Sequence, residues 1–341
     1  MSVIVIAIIS SGVFAFFYEE ISKLPPQMTA NNFTSTYSIV EFKLPDEKAS
    51  PLFPAYDSSR NVIWVGDTKA NSSRMWEFDI DSKKFIEHKL PGTSLISKIS
   101  FGPDGTMWYI DPAGKLLGNY DPSSNTNKLI KIPTNGTLAD LAVDQKSVWI
   151  IVSDLSQILR YDISSKNFTT NYIPTAHGSP TAITIDKSTG YVWIVEAVGK
   201  ILRVDPTSFQ MSEFSPQRNL TIKLSVAIKS DPSNGDIFVA EHGEDAVFAF
   251  YPQNETFKRF LLHPDPEALP FGMAFDMHGN LWVAEHTVNK IAVLDPRTGE
   301  SAEVQIPSPN PLTQFLTADS EGNVWLAEPG GAALGVVNET G

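Results

Sequence analysis

Three residues after six large aromatic residues stands an acid: Asp67, Asp111, Glu196, Glu241, Glu285 and Glu328. A carboxylate can serve as a general acid or base, or as an oxygen ligand for a hard cation such as Mg²⁺ or Ca²⁺. Two of the six are followed directly by histidine, in Ala240-Glu241-His242 and Ala284-Glu285-His286. An imidazole titrates near neutral pH, so His242 and His286 are candidate catalytic groups and Glu241 and Glu285 candidate metal ligands. Asp67, Asp111, Glu196 and Glu328 are candidate ligand-binding groups. Six like charges in one place stay ionised only when wet, partnered or bound to a cation. The same acids also suit a structural role, capping strand ends and accepting backbone amides, and both readings stay open. The remaining histidines, His88, His177, His263 and His278, fall in outer strands or turns and read as surface residues. With no cysteine in the chain, neither a thiolate nucleophile nor a disulfide is available.

The elements that must position these acids are read from a repeat. The aromatic residues ahead of them belong to the series Trp64, Trp108, Trp149, Trp193, Phe238, Trp282 and Trp325, spaced 41 to 45 residues apart. Only the third unit departs from the acid, with Val152 in its place. Three positions before the aromatic, five units carry a glycine (Gly105, Gly190, Gly235, Gly279 and Gly322), which supplies the positive φ of a tight hairpin. About thirteen residues after it comes a second turn, as in Tyr120-Asp121 and Leu294-Asp295, where Asp bonds its own backbone. A last strand then ends at proline, as in Phe85 to Pro91 and Val304 to Pro307. Each unit therefore holds four short antiparallel strands. Units of this length and kind are propeller blades, which bury their faces only by stacking around a central channel.

Seven stations predict an all-β, seven-bladed propeller over residues 37–341. The seventh unit ends too soon for a fourth strand, and Ile39 to Pro45 copies the pattern of Phe85 to Pro91. The N-terminal strand is thus expected to complete the last blade, which removes the exposed edges of an open array. Alternation places each acid on the face opposite its aromatic, near a strand end. Equivalent stations then put the six acids in a ring at one mouth of the channel.

Ahead of the propeller, residues 1–18 are almost wholly apolar, long enough for a signal-anchor or transmembrane segment, and residues 19–36 read as a linker. A cleaved signal peptide fits this stretch as well. The acids Glu19 and Glu20 after it put the rest of the chain outside the cell membrane. Seven N-x-S/T sites, at Asn32, Asn71, Asn135, Asn167, Asn219, Asn254 and Asn338, suit a glycosylated extracellular surface. A net charge of -13 argues against nucleic acid and anionic lipid as partners.

The run Trp282-Val283-Ala284-Glu285, followed by Asn289-Lys290-Ile291, and the run Gly322 to Glu328 resemble the repeat of the streptogramin lyase family. The resemblance covers residues 37–341. It implies a seven-bladed, Mg²⁺-dependent enzyme that opens a cyclic depsipeptide by elimination, with a histidine as acid or base. The family pattern places that histidine in a Pro-His-Ala run, eleven residues before the aromatic, with a second at the same station one blade earlier. In this chain those stations hold Phe53, Ser97, Leu138, Thr181, Leu224, Phe271 and Gln314, and Leu269 stands where a metal-holding glutamate is implied. Elimination needs a positioned proton acceptor, worth roughly 10²–10⁴ in rate, and these side chains supply none.

The expected function is accordingly a non-lyase binding propeller on the cell surface, taking a small molecule, a glycan, a cation or a partner protein. Two enzyme readings compete with it: a Mg- or Ca-dependent lyase with a rearranged site at Glu241, His242, Glu285 and His286, and a lactone hydrolase of the gluconolactonase type.

Overall fold

The computed structural model describes residues 36–69, 72–217, 220, 222, 224–243, 246–262 and 268–339. The apolar segment 1–18 and nearly all of the linker lie outside these residues. No helix among the described residues is long and apolar enough to cross a membrane.

The described chain forms seven four-stranded antiparallel sheets. The first is Pro51–Asp57, Val62–Asp67, Arg74–Asp79 and Lys84–Lys89, from the innermost strand outward, and the next five repeat this order. In the seventh, Leu316–Ala318, Val324–Glu328 and Ala333–Glu339 are followed by Tyr37–Lys43 from the other end of the chain. Tyr37 pairs with Glu339 and Lys43 with Ala333, so the wheel closes as the repeat requires.

Burial falls off from hub to rim, and residue types follow it. The second strand of every blade, which carries the aromatic, is buried at every position. Outer strands such as Lys84–Lys89 and Thr126–Lys131 are exposed or half-buried throughout. Seven apolar clusters fill the seven gaps between blades. Trp64 packs with Met107 and Tyr109 of the next blade, Trp108 with Ile150, and so on to Trp325, which packs with Ile63 and Trp76 of the first blade. A blade therefore lacks a core of its own, and the hydrophobic effect drives ring closure as well as blade formation.

Hairpin glycines hold φ between 77° and 82° in all five units that have one. In three blades the aspartate that starts the hairpin between the first and second strands also reaches the aromatic. Asp144, Asp276 and Asp319 accept from the indole Nε1 of Trp149, Trp282 and Trp325 at 2.7–2.9 Å. At the other end of the inner strand, six blades show a bulge, between Leu52 and Ala55, Ser97 and Ile99, Leu138 and Asp140, Pro180 and Ala182, Ser225 and Ala227, and Pro270 and Met273. Bulges re-aim side chains. Here they stand at the mouth of the channel.

Candidate functional site

Each of the six acids occupies the last position of its second strand, and all six are 0% exposed. None lines the channel, which corrects the expected ring at the mouth. Only inner strands face the hub; a second-strand side chain faces the neighbouring blade. Asp67 accepts the amides of Ser50 (3.1 Å) and Lys69 (3.0 Å), Asp111 those of Ser94 (2.6 Å) and Gly114 (2.9 Å), and Glu241 those of Leu224 (2.7 Å) and Gly243 (3.2 Å). The first donor in each case precedes the acid by 17 residues, on the loop that delivers the chain from the previous blade. In the third blade, which has Val152 at this station, Asp154 takes over and accepts Thr137 N at 2.6 Å with the same offset of 17. These carboxylates fasten the incoming loops to the strand ends.

Glu196 and Glu328 differ, because each has a second carboxylate beside it. Glu213 and Glu41 stand next to them, in matching outer strands. Each of these partners accepts an amide from an incoming loop, Thr175 N at 2.8 Å and Ser308 N at 2.7 Å, and pairs with a lysine, Lys200 or Lys43, at 3.2 Å. Burial, and then the charge of the neighbouring glutamate, pushes both Glu196 and Glu328 up to about 7. Glu213 and Glu41, despite some burial, are held below the usual range by these hydroxyls, amides and lysines. Each pair thus keeps one proton on its inner member through slightly acid pH.

The two histidines of the Glu-His runs do come together. The rings of His242 and His286 stack at 5.3 Å and 12°, and Phe271 meets both edge-on, at 5.5 and 5.7 Å. His242 Nδ1 lies 3.2 Å from the Pro270 carbonyl. Burial, reinforced by the adjacent His286, depresses His242 to about 4, and burial lowers His286 too. Both are neutral at physiological pH. The aromatic surface continues through Phe315, 5.2 Å from Phe271, to Phe53, 4.7 Å further on. Phe53 and Phe271 are residues at the implied lyase histidine stations.

This donor set does not fit a divalent cation. Among the described residues, no three of His, Asp and Glu gather where they could hold a metal. Glu241 spends an oxygen on two backbone amides, and Glu285 is sealed from solvent. His88, expected on the surface, is instead packed against Trp64 at 4.7 Å and bonded to Glu77 and Tyr120 at 2.8 Å.

The accessible chemistry lies in the channel, a cavity of about 720 Å³ lined by the inner strands of all seven blades. Its walls are mixed: Phe53, Phe315, Leu141 and Ile183 give apolar surface, and three lysines, Lys98, Lys187 and Lys229, line it with three aspartates, Asp140, Asp144 and Asp186. Lys98 Nζ sits 3.8 Å from Asp140 Oδ1 and over the rings of Phe315 (4.3 Å) and Phe53 (5.3 Å). Burial pulls the Lys98 ammonium group below the ordinary lysine range, with Asp140 opposing the shift, whereas Lys229 is exposed within the channel. Sequence reasoning missed this group. The signal was present as a lone lysine in Ser97-Lys98-Ile99 and in Ala227-Ile228-Lys229, two otherwise uncharged inner strands.

A ring of seven sheets, closed by its own N-terminal strand around a cavity of this size, defines a seven-bladed β-propeller. Its fold is that of the streptogramin B lyases. A streptogramin B lyase structure aligns with a TM-score of 0.79 at 17% identity, over 89% of this chain and 98% of the other. Virginiamycin B lyase from Staphylococcus aureus aligns with a TM-score of 0.78 at 17% identity, over 89% and 99%. The extracellular domain of a protein described as a one component system, from B. thetaiotaomicron, aligns at 0.68 and 16% identity, over 89% of this chain and 40% of that one. No model of a protein family matches the chain, and no curated relative matches it by sequence.

Proposed function

We propose that this chain is an extracellular ligand-binding propeller that takes a small molecule into its channel and has no streptogramin lyase activity. One observation carries the reading: Phe53 and Phe271 stand at stations where the lyase resemblance implies working histidines, and Phe271 packs edge-on against a neutral, stacked histidine pair. A phenyl ring accepts no proton, so the elimination has no base at those stations. A concave cavity in which apolar surface and convergent polar groups meet is the usual form of a small-molecule site. An extracellular position is supported by the fold it shares with an extracellular domain and by the sequence ahead of residue 36. It is also supported by the N-x-S/T asparagines: all four within the described residues, Asn135, Asn167, Asn254 and Asn338, are exposed.

The test is to incubate the purified chain with a type B streptogramin and Mg²⁺ and follow ring opening by mass spectrometry. The expected result is intact depsipeptide. Ring opening at a rate comparable with that of a streptogramin lyase would overturn the reading. A rise in melting temperature with millimolar Mg²⁺ or Ca²⁺, abolished by Glu241→Gln or Glu285→Gln, would favour the metal-dependent alternative.

A further inference from the structure

We propose that the channel is a binding site for a small organic anion, a carboxylate on an apolar body, held by Lys98 and Lys229. This deepens the reading above and rests on its treatment of the channel as the ligand cavity. The chain carries a net charge of -13, whereas the cavity lining sets three lysines against three aspartates.

The acids that share the cavity are already engaged. Asp144 accepts the amides of Lys146 and Ser147, both at 2.7 Å, and the Trp149 indole at 2.7 Å. Asp186 accepts from Ser188 and Thr189 within its own hairpin turn. Asp140 divides its charge among the Leu141 amide (2.9 Å), the Ile183 amide (3.2 Å) and Lys98. Lys229 makes no hydrogen bond or ion pair among the described residues. It feels Asp140 with attraction and Lys98 and Lys187 with repulsion. Lys98 and Lys229 therefore share one cavity and one nearby, partly spent carboxylate, Asp140, while Asp144 and Asp186 keep their oxygens turned to their own hairpin turns. Lys98 is largely withdrawn from solvent and Lys229 is exposed within the channel, and a ligand carboxylate would bring a charged hydrogen-bond acceptor to both.

The rest of the wall selects for the ligand's body. Phe53 and Phe315 lie directly beneath the Lys98 ammonium, and Leu141, Ile183 and Ile228 line the remaining wall. A fully hydrated inorganic ion would leave this apolar surface uncovered, whereas an aryl or alkyl carboxylate covers it.

Calorimetry on the full chain at pH 8 and low salt, with phenylacetate, phenylacetamide and inorganic phosphate as probes, tests the proposal. Phenylacetate is expected to bind one to one. Phenylacetamide should bind at least tenfold more weakly, and phosphate more weakly than phenylacetate. Lys98→Met and Lys229→Met should each weaken phenylacetate tenfold or more with near-UV circular dichroism unchanged, and Lys98→Arg should retain binding. Equal affinity for the amide, preference for phosphate, absence of binding, or undiminished binding in the double Met variant would each overturn the site. Streptogramin ring opening would overturn the functional reading alone, so the two failures are distinguishable.

Discussion

The seam that closes the wheel carries a titrating carboxyl, and its effect on stability can be worked through. Glu328, buried in the last blade, lies beside Glu41 of the N-terminal strand, with Lys43 and Ser308 around them. Its carboxyl is raised to about 7 from 4.5, first by burial and then by the Glu41 charge. A raised folded-state value means that the native chain binds the extra proton. The stabilisation is complete below pH 4.5 and is lost as pH rises through 7. At about 1.4 kcal/mol per unit the full shift corresponds to ~3.4 kcal/mol. The Glu41 charge that supplies part of the shift is itself partly exposed and screened by water, which reduces the expected effect to about 2 kcal/mol. Glu328→Gln removes the titration while keeping shape and hydrogen-bonding capacity. Urea unfolding followed by tryptophan fluorescence at pH 5 and pH 8 measures it. Relative to the parent, the variant should be more stable at pH 8 than at pH 5 by about 2 kcal/mol. Parallel pH profiles for parent and variant, within 0.5 kcal/mol, would refute the reasoning.

Other outcomes follow from the same contacts. Asp111→Ala orphans the Ser94 and Gly114 amides and should cost ~2–4 kcal/mol, measured as a fall in urea midpoint, with Asp111→Asn costing less. Asp276→Ala leaves the Trp282 indole and the Asn280 amide without their acceptor and should cost a similar amount by the same assay. In two-dimensional NMR the His242 ring signals should stay in the neutral form from pH 8 to pH 5 and titrate near 4, because burial opposes the charge. Deleting residues 1–45 should expose the edge of Ala333–Glu339 and produce concentration-dependent association on size exclusion.

Much of this protein is legible from residue order alone. Because a blade is a local unit with one buried second strand, a single aromatic station and its turn residues repeat at a constant interval. That interval determined the blade count, the strand order and the closing role of Ile39 to Pro45. The Glu241-His242 and Glu285-His286 runs were visible at one station of two neighbouring blades, and the folded ring stacks the two histidines there.

The direction in which the acids point was decided by tertiary structure. Alternation along a strand separates two faces, but in a propeller both faces of a second strand meet other blades, so Asp111 and Glu241 grip incoming loops and never reach the channel. The protons on Glu196 and Glu328 likewise depend on Glu213 and Glu41, partners that only the folded sheet brings near. Lys98 and Lys229 are 131 residues apart, each a lone charge in an apolar strand, and nothing in the order of residues joins them. Ring closure turns all inner strands toward one axis, and the two charges come to share a cavity because the wheel has only one hub.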